Sequence, residues 1–452
     1  MSNSRKITSL EASFVDAFEA YAGPAPPGNA SVAVNGLAPL NAMQGFQRRA
    51  IERFQELGIP SRKNEAWKYT HIPEVLARGF AVSAGDSTPD PEAAETVQCA
   101  LAGLDAHIVV LVNGRFAGEH ALIGNLPEGV AISGLGTAAS THPDILRRHF
   151  GHYAAWEEES FTALNTAFAS DGLFIYVPKG KIIEKPIHVI NLQKTNERLF
   201  LQPRHLLVFE ENAQAKIIDT SCTLTSEATF TNVVTEAFVG ERAMVEMYLV
   251  QDPGNDNAVV STTHVYQETA STFTATTVTL TGAVVRNNLN VLPNAPHCET
   301  HLYGLFLPGG NTQVDNRTLV DHAQPDCVSN ELYKGILNDR ASGVFNGKVF
   351  VRQDAQRINA FQENKTIVLT NEATMNAKPE LEIYADDVKC SHGATTGQLD
   401  PEALFYLRSR GMTKQQAQGL LLHAFAGDIL DRISIEPLRR MLDQRVTRLF
   451  GE

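Results

Sequence analysis

The chain has 452 residues, 43% hydrophobic and 20% charged, with 38 Lys plus Arg against 51 Asp plus Glu and a formal net charge of −13. That length suits two or three domains or one elongated one, and the composition is ordinary globular material. The acidic balance argues against a general nucleic-acid binder, which needs a basic surface to displace phosphate counterions, and no apolar run approaches a membrane span.

The first 80 residues read as helical, with apolar positions at helical spacing over 3–22 and 41–57, the second stopping at Gly58 and Pro60. Residues 81–105, rich in Ala, Pro, Asp and Thr, read as a linker or a weakly structured excursion. The apolar run Ile108–Val112 followed by Asn113-Gly114 and Arg115-Phe116 predicts a hairpin, and 155–169 an amphipathic helix. The opening MSNSRKITSL lacks the apolar stretch of a signal peptide, and Glu11 and Asp16 come early for a transit peptide. Five scattered cysteines without a CxxC pair give neither a disulfide framework nor a zinc ribbon, so a reducing cytoplasm is expected.

From 172 to 397 the segments become short and rich in β-branched and aromatic residues, as in His205–Phe209, Met244–Val250, Thr272–Leu280, Leu302–Leu307, Val349–Arg352 and Thr366–Leu369. Turn-like triplets ending in Ala213, Ala243, Ala270, Ala341 and Ala373 recur at spacings of 30, 27, 71 and 32 residues, the third read as a double step. A period near 30 predicts a stacked β-solenoid, with a large β-sandwich as the rival. After 400, Asp400 before Pro401 caps a helix that ends at Gly411; Thr413 with Gln416 opens a second, through about Arg432; Pro437–Phe450 makes a third. The domains expected are a helical region with its linker over 1–105, a mixed connection over 106–171, a β core over 172–397 and a helical end over 398–452.

There is no Gly-x-Ser-x-Gly elbow and no His-Glu-x-x-His helix, and the nearest Walker-like string, Gly343–Lys348, is one residue short and followed by Val349. Lys389-Cys390-Ser391-His392-Gly393 places thiol and imidazole on one face of an extended segment, ligand types suited to iron–sulfur or zinc chemistry; the plain alternative is a buried Cys beside a surface His. Pro296-His297-Cys298-Glu299-Thr300-His301 sets its two histidines roughly 13 Å apart on a strand, too far for one metal unless the chain bends, so polar residues at a coil corner are the plainer reading. Asp321-His322 with Asp326-Cys327 is weaker still. The helix Glu402–Arg410 carries Leu404, Phe405 and Leu407 flanked by Arg408 and Arg410, and either packs on its neighbours or docks a partner.

Several strings then carry a resemblance: Glu331-Leu332-Tyr333-Lys334-Gly335, Val344-Phe345-Asn346-Gly347-Lys348, Lys378–Ile383, Asp386–Ala394 and Leu404–Gly411, with Asn64–Thr70 and Val177–Gly180 upstream. On these the chain resembles the SufB/SufD family of iron–sulfur cluster assembly scaffold subunits, on the SufD side. The resemblance implies a right-handed parallel β-helix flanked by helical domains and a non-catalytic role beside SufB and two copies of the SufC ATPase; it leaves open whether the chain pairs with itself as a homodimer where SufB is absent. It implies that His392, with Cys390 as a less certain neighbour, takes part in forming a transient iron–sulfur cluster at the SufB interface, with no cofactor held by the isolated chain. It implies SufC docking on Leu404, Phe405, Tyr406, Leu407, Arg408 and Arg410. SufB itself is the near alternative, but the segment where SufB carries an essential thiol reads Ala360-Phe361-Gln362-Glu363-Asn364-Lys365, with Glu363 at that position. From another class, a polysaccharide-active β-helix enzyme is the remaining alternative.

Overall fold

The computed structural model describes residues 8–22, 44–70, 72–82, 92, 95 and 98–451. Most of the expected linker and the first residues of both N-terminal helices lie outside that set. The expected β core with a period near 30 is what the structure holds: two parallel sheets face each other, one of eleven strands and one of ten, and the chain alternates between them. Each full turn adds one strand to each sheet, giving a parallel β-solenoid of about seven turns. Ile187 pairs with Ile217, 30 residues on, and Ile358 with Val388, again 30; the extremes are Ala258 to Val284, 26 residues, and Phe174 to Leu206, 32. Strands are longer than their apolar kernels implied: Val349–Arg352 and Thr366–Leu369 mark only the ends of Ser342–Val351 and Ile358–Val368.

One corner of the solenoid repeats with unusual regularity. Asn212, Arg242, Ala270, His297, Asp326 and Arg357 take left-handed backbone angles, φ between 55° and 64°, on six successive turns. Such a conformation costs a non-glycine residue of order 1–3 kcal/mol. It is held because each of these amides donates to the turn above, as Asn212 N to Glu241 O (2.8 Å), Arg242 N to Thr269 O (2.9 Å) and Asp326 N to Gln356 O (2.9 Å). The triplets ending in Ala213, Ala243 and Ala270 lie at this corner, whereas those ending in Ala341 and Ala373 turn the opposite one. The spacing of 71 from Ala270 to Ala341 is therefore not a double step; it crosses from one edge to the other.

Alternate residues of every strand point into the lumen or outward. Phe273, Phe306, Tyr333 and Phe345 fill the lumen. The outward face of the eleven-stranded sheet is covered by the N-terminal helices Ser9–Ala22 and Gln44–Leu57 and by Ser160–Phe168, through Phe14, Phe18, Phe54, Phe161 and Leu164 against Phe200, Phe230 and Val260. The other sheet is covered by Lys414–Leu430 and Glu436–Gly451, through Leu422, Ile429, Leu438 and Val446 against Tyr248, Val278, Leu305 and Ile336. The capping box of Thr413 and Gln416 forms as expected, and Asp400 accepts from Glu402 N at 2.9 Å.

The two ends of the solenoid differ. At the start, Arg115–Phe116 and Ala131–Gly134 run antiparallel to their neighbours and close both sheets, the first through the expected Asn113-Gly114 hairpin. At the finish, Thr374–Ile383 and Val388–Gly397 are the last strand of each sheet, and nothing pairs with their outer edges among the described residues.

Two expectations are corrected. The helix expected over 155–169 is Ser160–Phe168, and it is buried all round instead of amphipathic, because it lies between the N-terminal helices and the sheet; Asn165 satisfies itself on Pro203 O and Asn232 O (2.9 and 2.8 Å). The cysteines, read as unpaired, include one disulfide, Cys99 to Cys222, across 123 residues. Sequence spacing gave no sign of it, because the bond joins the stretch before the first turn to the outer face of a later strand. No helix among the described residues is long and apolar enough to cross a membrane.

Candidate functional site: the open terminal turn

The last strand, Val388–Gly397, carries Cys390 and His392. It lies in register on Ile358–Val368, with Ala360 beside Cys390 and Gln362 beside His392. In-register neighbours in a parallel sheet share a face, so both side chains belong to the lumen side, about 7 Å apart along the strand. Cys390 is half-buried beside Ala360, Val388 and Leu381, and burial pushes its thiol pKa above the ordinary range. His392 is exposed because no further turn covers it. The two residues are thus brought to one face, one sheltered and one open.

Below His392 runs a buried polar column. Gln362 donates from Nε2 to Glu331 Oε2 at 2.7 Å, and Glu331 lies in register one strand further down. Burial pushes the Glu331 carboxyl up to about 7. Nearer the sealed end, burial raises Asp219 likewise to about 7; it lines a lumen cavity of about 110 Å³ with His205, Met247, Thr263 and Leu289. Glu363, on the other face of its strand, is exposed and pairs with Lys365 at 2.8 Å.

The string 296–301 is a coil corner, as its plainer reading had it: His297 takes the left-handed angle, and His297, Cys298 and Glu299 alternate between solvent and core. No group of three or more metal-ligating side chains occurs among the described residues. What the linear reading missed is that one turn of 29 residues sets Cys298 directly beside Cys327, both fully buried and both donating to Ala295 O (3.1 and 3.3 Å). The signal was present in the coil period, once the register was known. Asp326 meanwhile forms a two-point ion pair with Arg357, 2.6 Å at each contact.

The helix Pro401–Ser409 follows the last strand and buries none of its residues. Leu404 and Leu407 are half-buried, whereas Phe405 and Tyr406 are 73% and 56% exposed, and Arg410 stands 5.2 Å from the Tyr406 ring. Packing on its neighbours therefore accounts for the two leucines and leaves the aromatic pair unexplained.

Fold and site define a class: a parallel β-solenoid with one sealed end and one open end, whose thiol and imidazole sit on the open turn. The SufBD core domain of SUF-system iron–sulfur cluster assembly matches residues 191–425, and the SufBD N-terminal region matches 35–189. An iron–sulfur cluster assembly SufBD family protein of Synechocystis is 34% identical over 419 residues, 90% of each chain. The iron–sulfur cluster assembly protein SufD of Escherichia coli is 30% identical, covering 92% of this chain and 97% of its own, and SufD of Bacillus subtilis 27% over 71% and 74%. This chain belongs to the SufBD family of iron–sulfur cluster assembly proteins.

Proposed function

We propose that this chain is a SufD-like, non-catalytic scaffold subunit of the cytoplasm. It pairs with SufB through its open terminal turn and takes up the SufC ATPase on the helix bearing Leu404, Phe405, Tyr406, Leu407, Arg408 and Arg410. His392, with Cys390 beside it, contributes to a transient iron–sulfur cluster at the SufB contact, and the nucleotide is hydrolysed by SufC. The observation that carries this reading is the pair of unpaired edge strands at the end where His392 is exposed. An uncapped edge offers a row of free N–H and C=O groups to another strand, and natural proteins cover such edges unless a partner uses them. The exposed Phe405 and Tyr406 supply the apolar anchor that a docking helix needs. Neutral imidazole is a competent iron ligand, and one histidine among thiolates makes a labile site suited to handing a cluster on. Glu363, exposed and paired with Lys365, supports a SufD-like chain over a SufB-like one, since it offers no thiol to accept sulfur.

The test is co-expression with SufB and SufC and purification without oxygen. With His392→Ala the three chains should still co-purify while iron and acid-labile sulfide fall; an unchanged cluster yield would end the proposed role of His392. Phe405→Asp should release SufC and leave SufB bound, and retention of SufC would remove the helix from the reading.

A further inference from the structure

Three strings far apart in sequence, together with the segment that separates this chain from SufB, converge on one column of the lumen. Glu331 comes from the first, Gly347 from the second, Gln362 from the segment 360–365, and His392 from the last strand. Parallel register stacks Glu331, Gln362 and His392 on successive strands of one sheet, roughly 4.8 Å apart. Gly347 lies on the facing sheet, where an added Cβ would overlap the Gln362 amide. The amide is thus held between a carboxyl below, an imidazole above and bare backbone in front.

Its hydrogen bonding is half complete. Nε2 donates to Glu331 Oε2, while Gln362 Oε1 is buried and has no partner. A buried acceptor left alone costs about 1–3 kcal/mol, so such a group is expected to serve something nearby. Because the carboxyl takes the N–H end of the amide, the carbonyl end is left for the other neighbour in the column, and that neighbour is His392. Histidines that bind metal usually donate their second ring N–H to a fixed acceptor, which sets the tautomer and the ring plane.

We infer that Gln362 is the positioning residue for His392: its Oε1, unpartnered in this structure, is the acceptor that takes one imidazole N–H when the ring turns inward over the lumen, Glu331 fixes the amide so that this oxygen is left for the open end, and Gly347 leaves the room the amide occupies. This rests on the proposed role of His392 as a ligand to iron during assembly, and it adds the residues that orient the ring and choose which nitrogen is free for metal. It also accounts for a glycine in the middle of a strand, where the residue is otherwise unfavourable.

The experiment uses the full chain with ¹⁵N-labelled histidine, the His392 signals being identified by their loss in His392→Ala. Gln362→Leu, which keeps the volume and removes the acceptor, should shift the His392 ring nitrogens toward the tautomer mixture of a free imidazole. Gln362→Glu, which keeps an acceptor oxygen, should restore the wild-type pattern, and Gly347→Ala should act like Gln362→Leu while leaving the position itself untouched. In the complex with SufB and SufC, Gln362→Leu should weaken iron retention about 10–100-fold, the usual effect of losing a residue that orients a metal ligand. Ring nitrogens identical in wild type and Gln362→Leu, with thermal unfolding confirming that both are folded, would overturn the inference. Because the nitrogen signals are read without iron, they separate the two claims: a shifted ring with normal cluster yield in His392→Ala supports the positioning and sinks the cluster role, whereas an unshifted ring with lost yield does the reverse.

Discussion

The two ends of the solenoid are built from the same repeating turn and come to opposite conclusions. At the sealed end, antiparallel strands close the sheets, helices cover the outer face, and even an ion pair is buried: Arg204 and Glu236 are fully enclosed, with Gly151, Tyr153 and Ala154 amides completing the carboxylate. At the open end, Thr374–Ile383 and Val388–Gly397 keep free edges, and their charged pairs, such as Lys378 with Glu380 at 3.0 Å, stand in solvent. The difference shows where the fold covers its backbone and where it leaves it open. Identical backbone pairing is rigid where both sides are covered and available where one side is not.

The comparison is tested most severely by truncating one aromatic at each end. Phe230, fully buried against Phe200 with ring centroids 4.7 Å apart, should cost about 3–5 kcal/mol as Phe230→Ala in urea unfolding. Phe361, 47% exposed on the next-to-last turn, should change stability by no more than about 0.5 kcal/mol as Phe361→Ala. Equal losses would mean that the open turn is as integral to the core as the sealed one.

A smaller effect concerns pH. Asp219 and Glu331 titrate near 7 in the fold, above their ordinary values of 3.8 and 4.5, because burial favours the protonated form. Each therefore stabilises fully below its unfolded pKa. Each loses that contribution at a slope of up to about 1.4 kcal/mol per pH unit as pH rises toward 7, beyond which the curve is level. Asp219→Asn and Glu331→Gln should each gain stability relative to wild type as pH rises from about 4 to 7 and raise the unfolding midpoint at pH 8; the wild-type curve also carries the opposite slope of buried His149, His188, His205 and His322, so a mutant-minus-wild-type difference that stays flat over that range is what would contradict the burial of both carboxyls. The smallest effect is expected at Lys348→Gln, whose partner Glu382 is solvent-exposed: the denaturation midpoint should not move.

Much of this was legible in the sequence. The coil period, the hairpin at Asn113-Gly114, the caps at Asp400 and Thr413 and the corner position of His297 all follow from local turn chemistry and side-chain alternation. What escaped depends on register, which one sequence leaves undetermined. Cys298 beside Cys327, Gln362 beneath His392, and Cys99 joined to Cys222 each unite residues separated by a full turn or more. The all-round burial of Ser160–Phe168 escaped for a related reason, since its second apolar wall is supplied by helices more than a hundred residues earlier.

The Cys99–Cys222 bond gives the molecule a mechanical direction. It closes a loop of 123 residues around the first turns, so tension on the chain cannot peel those turns away one by one from the N-terminal side. The far end has no such fastening. Under load the solenoid should unwind first from the turn that carries His392, while the turns behind the disulfide stay wound.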